Sequence, residues 1–177
     1  MANAPVPVPR TFGVSEFEAT AYLNSVRDAL NFLLNVPIAQ LIQNTTQSIA
    51  NSTVTPLAFD GSVVDSYGGH SNTTNNTRYV AQVAGWYNLS GPAAFAANTT
   101  GVRVARLRNT GTDVVYFDAW AQTVAAASTP SAVCAEGILF LNVGNYAELG
   151  GYQTSGGALS TIVAGPQSGM SVTWLHA

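Results

Sequence analysis

Two rhythms divide this chain at Pro37. Ahead of it, from Ser15 to about Asn35, apolar side chains return every three or four positions, the repeat of one face of an α-helix. Behind it come short runs rich in Val, Tyr, Phe, Trp and Thr, broken by Gly, Asn, Ser and Thr. That composition and punctuation predict strands joined by turns. The expected strands are Thr53–Phe59, Ser62–Ser66, Arg78–Val83, Gly85–Ala97, Val102–Arg108, Asp113–Val124, Ser131–Asn142, Tyr146–Thr154 and Met170–Leu175. Asn109–Thr112 reads as a hairpin turn in which Gly111 supplies a positive φ. Many short strands with almost no helix predict an all-β jelly-roll sandwich over residues 37–177, preceded by an arm and one helix in residues 1–36.

The helix has readable ends. Ser15 and Glu18 form an S-x-x-E capping box, and Val36-Pro37 closes the element. Inside it Ala19, Leu23, Val26, Leu30 and Leu33 follow steps of 4, 3, 4 and 3, an a/d seam. Such a seam serves either as the apolar stripe of a helix lying on its own β domain or as a contact with other copies or a larger assembly. Pro5, Pro7 and Pro9 ahead of it hold the chain extended, which suits an arm lying along a neighbour and favours assembly.

Composition sharpens this picture. Charged residues make up only 8% of the chain against an average of about 25%, while hydrophobic residues reach 47%. So few charges predict that much of the surface is buried between subunits. A net charge of -3 opposes nucleic-acid binding, and Arg103, Arg106 and Arg108 alone make a thin phosphate footprint. No uninterrupted apolar run of about 18 residues predicts a membrane span. Cys134, flanked by Val133 and Ala135, is expected to be a buried, inert thiol. Sequons such as Asn44-Thr-Thr and Asn98-Thr-Thr are expected to be chance matches, because the N-terminus does not read as a secretory signal.

Candidate chemistry is sparse. His70 and His176 are the only imidazoles, and no P-loop, G-x-S-x-G or H-E-x-x-H occurs. Asp60 with Asp65, and Asp113 with Asp118, are spaced so that strand geometry sends the two carboxylates to opposite faces. The expectation is a non-enzymatic chain with no catalytic residue, metal or cofactor. Asp65, Tyr67 and His70 form a candidate surface binding loop, and Trp86, Tyr87, Leu107, Tyr116, Phe140 and Trp174 are expected in the head core or on a trimer axis.

Several segments carry a family resemblance. Ala84-Gly-Trp-Tyr-Asn-Leu-Ser-Gly91, Val102-Arg-Val-Ala-Arg-Leu-Arg-Asn-Thr-Gly-Thr112, Leu139-Phe-Leu-Asn-Val-Gly-Asn-Tyr-Ala-Glu-Leu149 and the closing Ser171–His176 resemble, in order, strands of complement globular-head and tumour-necrosis-factor-like jelly rolls. Glu18–Leu34 and Asp65–His70 are similar to segments in structural proteins of tailed bacteriophages, particularly those infecting actinobacteria. The resemblance implies a homotrimer whose residues 1–36 dock on other virion proteins, with assembly in the host cytoplasm. It implies a minor tail protein or tail fibre presenting a host-facing surface, with a host cell-surface glycan as a candidate ligand. A capsid decoration protein or head fibre, and a carbohydrate-binding adhesion module, are the alternatives. Asn145 stands where the jelly-roll family carries Asp, so a calcium role at that turn is not expected.

Overall fold

The structure is a computed structural model and describes residues 16–114, 119–126 and 128–177. The chain divides into two compact units, Met1–Asn35 and Val36–Ala177. The first contains helix α1 (Glu16–Leu34), closed by the Asn35 side chain donating to Asn31 O at 3.0 Å and its amide to Phe32 O at 3.1 Å. Leu23, Val26, Leu30 and Leu33 of the seam are exposed, and Ala19 is half-buried. Ser15 and the proline-rich arm lie outside the described residues.

The second unit carries β1 (Ile38–Ile42), β2 (Ser48–Ile49), β3 (Thr55–Pro56), β4 (Gly61–Asp65), β5 (Arg78–Val80), β6 (Gly85–Phe95), β7 (Val102–Asn109), β8 (Thr112–Asp113), β9 (Trp120–Val124), β10 (Ser131–Leu141), β11 (Tyr146–Gln153), β12 (Leu159–Ser160) and β13 (Gly169–His176). One sheet has the order β10-β6-β13-β1-β4. The other runs β3-β11-β7-β8, with β5 added on β11 and β9 on β7, and a small β12-β2 ladder lies apart. Every pairing within these sheets and the small ladder is antiparallel. The two sheets form a jelly-roll sandwich.

Alternation makes the core. In β10 every second residue, Ser131 through Leu141, is buried and the intervening ones are exposed, the period of a strand with one wet face. Leu41, Leu89, Leu139, Met170 and Val172 turn inward from one sheet, and Ala105, Leu107 and Leu149 from the other. Tyr79 and Tyr87 meet within the core at 6.2 Å between ring centroids. Tyr87 Oη donates to Val83 O at 2.6 Å, and Trp174 Nε1 donates to Ala84 O at 3.2 Å, so both polar tips are satisfied.

Several expected elements differ. Thr53–Phe59 is mostly irregular, with only Thr55–Pro56 paired, because Leu57 and Phe59 drop into the core as a loop. Asp113–Val124 is not one strand over the described residues: β8 ends at Asp113 and β9 begins at Trp120, with residues 115–118 outside the description. Tyr116 and Asp118 therefore lie outside it too. Strand β1, which the pattern did not single out, sits between β13 and β4. The Asn109–Thr112 turn has Thr110 at φ 48 and Gly111 at φ 80, the pair of positive values that a two-residue type I′ hairpin requires.

Candidate functional site

The wet face of the five-stranded sheet is the most unusual surface of the head. Phe140 on β10 stands directly opposite Trp86 on β6, and their rings meet edge to face at 5.5 Å and 74°. Two residues along, Ile138 pairs with Asn88, which pairs with Thr173, which pairs with Ile38. Leu175 and Val64 extend the apolar surface on β13 and β4. Among the described residues of this face only Glu136 carries a formal charge. A cleft of about 320 Å³ beside the ring pair is bounded by Leu139 and, across the gap, by Asn109, Thr112, Asp113 and Val114. A contiguous apolar sheet face with so little charge is the mark of a contact surface.

Strand period settles where each expected head residue goes. Tyr87, Leu107 and Trp174 are buried in the core. Trp86 and Phe140, of opposite parity to Tyr87 and Leu139, point outward and remain 39% and 41% exposed. Cys134 shares the parity of Ile138 and Phe140, so it too is exposed rather than buried. Its apolar neighbours Val133 and Ala135 report on the opposite face.

The loop at Asp65, Tyr67 and His70 is occupied with holding itself. Asp65 accepts the Gly69 and His70 amides at 3.1 and 2.9 Å. His70 Nδ1 and Nε2 lie 2.9 and 3.0 Å from the carbonyls of Arg78 and Phe59. Either neutral tautomer donates to one carbonyl and the imidazolium to both. Tyr67 is half-buried, not the freely exposed ring that the sequence suggested. Asp65 and His70 brace the loop from within, and His70 also lines an open cleft of about 290 Å³ with Gly69, Ser71, Asn75 and Arg78. Asn145 closes its turn, accepting the Asn142 amide at 3.1 Å, beside Gly144 at φ 85.

The other sheet concentrates the charge. Arg108 Nη1 meets Glu148 Oε2 at 3.1 Å, and Thr77 Oγ1 donates to Glu148 Oε1 at 2.7 Å. Asp113 takes Arg108 Nε at 3.0 Å and Arg106 Nη1 at 3.1 Å, one on each oxygen. Arg78 lies 4.1 Å over the Tyr146 ring and Arg106 lies 5.3 Å from the centre of Tyr152. Sequence reasoning missed this network, although the hairpin at Asn109–Thr112 fixes the Arg108↔Asp113 pairing and same-face spacing adds Arg106. Arg103, of the other parity, is fully buried on the carbonyls of Thr100 and Val102 at 3.0 Å each, and burial lowers its pKa. Asp60 is a separate brace. Partial burial opposes its charge, but hydrogen bonds from the Thr45 hydroxyl and the Asn44 amide outweigh this and hold its carboxyl below the ordinary 3.8.

Comparison with known proteins places this geometry. No protein-family model matches the chain, and no curated protein matches it either. Solved structures do. The globular domain of zebrafish complement 1qA protein superposes with a TM-score of 0.58 at 13% identity, covering 79% of this chain and 98% of that one. Murine APRIL at pH 5.0 gives 0.57 at 14% identity, covering 78% and 98%. Eiger TNF from S. frugiperda gives 0.57 at 13% identity, covering 78% and 93%. The head is thus a jelly roll of the kind shared by tumour-necrosis-factor and complement globular domains.

Proposed function

We propose that this chain is a bacteriophage virion structural protein whose jelly-roll heads associate as a homotrimer through the five-stranded sheet and are tethered to the particle by residues 1–36. Jelly-roll folds of this type are typically trimeric. The observation that carries the reading is the Trp86–Phe140 face, with Ile138 and Leu175, exposed in the single chain and bearing Glu136 as its one formal charge among the described residues. Apolar area of that kind is stabilised by burial against other copies. The exposed seam of Leu23, Leu30 and Leu33 asks for the same treatment at the tether. The phage setting rests on the likeness of Glu18–Leu34 and Asp65–His70 to segments of tailed-phage structural proteins. Within that setting the protein acts as a minor tail protein or short tail fibre, with the charged sheet turned toward the host. No enzymatic step is assigned to it.

Two measurements test this. Sedimentation velocity at micromolar concentration is expected to show a trimer, and a folded monomer would overturn the assembly. Immunogold labelling of particles is expected to mark the tail. Labelling of the capsid would move the protein to a decoration or head-fibre role, and unlabelled particles would end the virion assignment.

A further inference from the structure

The geometry points to a pyranose-binding subsite on the outward face of the charged sheet, built by Trp120, Arg106 and Asp113. Trp120 of β9 pairs directly with Arg106 of β7, so the two side chains stand side by side on that face. With Val114 they line an open cleft of about 280 Å³. The indole is 46% exposed, although Ala121 beside it follows a buried Ala119 into the sheet interior. The register with Arg106 puts Trp120 on the wet side of the sheet. Its ring gives a flat apolar platform for the C–H face of a sugar.

The polar half of the cleft has the matching chemistry. Asp113 receives one arginine on each oxygen, which fixes the plane of its carboxylate and leaves a lone pair free on each. The Arg106 guanidinium uses Nη1 on Asp113 and its Nε is buried, so the donors left to a ligand are the remaining Nη protons. Tyr152 beneath it, at 5.3 Å, keeps the fork in place. Held acceptors and a planar donor beside one aromatic ring match two neighbouring hydroxyls on a ring with an apolar side. A phosphate or other strong anion is a poorer fit, because Asp113 lies in the same cleft.

This subsite deepens the host-facing role proposed above and rests on it for its biological setting. Asp113 and Val114 also bound the cleft beside Trp86 and Phe140, so the subsite borders the proposed trimer contact, and weak single-site binding would gain by multivalency over three copies.

The test is retention of the full-length protein on a microarray of defined oligosaccharides, followed by isothermal titration calorimetry with the retained oligosaccharide. Binding to pyranose glycans is expected, with Trp120→Thr and Arg106→Lys each weakening it by about tenfold or more. Tyr67→Ala, in the self-braced loop, is expected to bind normally. Melting temperature accompanies each variant. Should Trp120→Thr melt early, Arg106→Lys decides, because it keeps the charge and removes only the planar fork. Absence of any retained glycan, or equal retention by a folded Arg106→Lys protein, would overturn the subsite. A particle-bound trimer that retains no glycan defeats this inference alone. A monomer that binds through Trp120 leaves the subsite standing and defeats the assembly.

Discussion

Replacing Phe140 with Asp separates assembly from folding. A phenyl or indole side chain exposes roughly 200 Å² in full. Exposures of 39% for Trp86 and 41% for Phe140 therefore leave about 80 Å² uncovered on each ring. At about 25 cal/mol per Å², covering that part of Phe140 contributes about 2 kcal/mol per copy, or about 6 kcal/mol over three. At about 1.4 kcal/mol per factor of ten, the loss weakens a trimer by about 10⁴-fold, before the added cost of desolvating three carboxylates. The head itself should survive, because the inward residue of that strand segment is Leu139 and Phe140 points away from the core. Sedimentation velocity at micromolar concentration should show wild-type trimer and Phe140→Asp monomer, with matching far-UV circular dichroism. A variant that remains trimeric would refute the assignment of this face. A variant that unfolds would refute the claim that the ring lies outside the core.

Leu107→Asp should behave in the opposite way: with the leucine fully buried between the sheets, the head is expected to lose cooperative melting altogether. Leu30→Asp, on the exposed helix seam, should leave the head's melting unchanged but lower incorporation into particles, measured by quantitative immunoblotting of purified virions. Asp60→Asn addresses pH. The folded-state pKa of Asp60 is depressed, so its carboxylate contributes stability above the unfolded value, and that contribution disappears as pH falls through the folded one. Melting curves from pH 7 down to about 2 should show a smaller acid-induced loss in Asp60→Asn than in wild type, starting from a lower plateau.

Much of this architecture was legible because strand periodicity and turn chemistry are local. The helix limits, the Asn109–Thr112 hairpin and the long strands β6, β10 and β11 follow from residues within a few positions of one another. Strand β1 was overlooked because Ile38–Ile42 is short and begins directly after a proline. Its place in the sheet comes from partners far along the chain, Gly169–Thr173 and Gly61–Asp65. The core and axis alternatives for the rings stayed open in the sequence for a related reason. Aromatic character draws attention to the core, but parity decides the face, and Trp86 and Phe140 are out of phase with Tyr87 and Leu139. The Trp120–Arg106–Asp113 cluster needs both a hairpin register and a second cross-strand pairing, and composition alone gives neither. His70 illustrates the reverse case. A lone histidine in a polar loop looks available until the carbonyls of Phe59 and Arg78 are seen to occupy both of its nitrogens.

Strand β1 also has a mechanical consequence. It begins the head immediately after Val36-Pro37 and is bonded on both sides, to β13 and to β4. Tension arriving along the N-terminal tether would load two hydrogen-bonded ladders at once instead of peeling a strand from the rim. If residues 1–36 anchor the protein as proposed, pulling on them would have to break both ladders to extract β1 from the sheet.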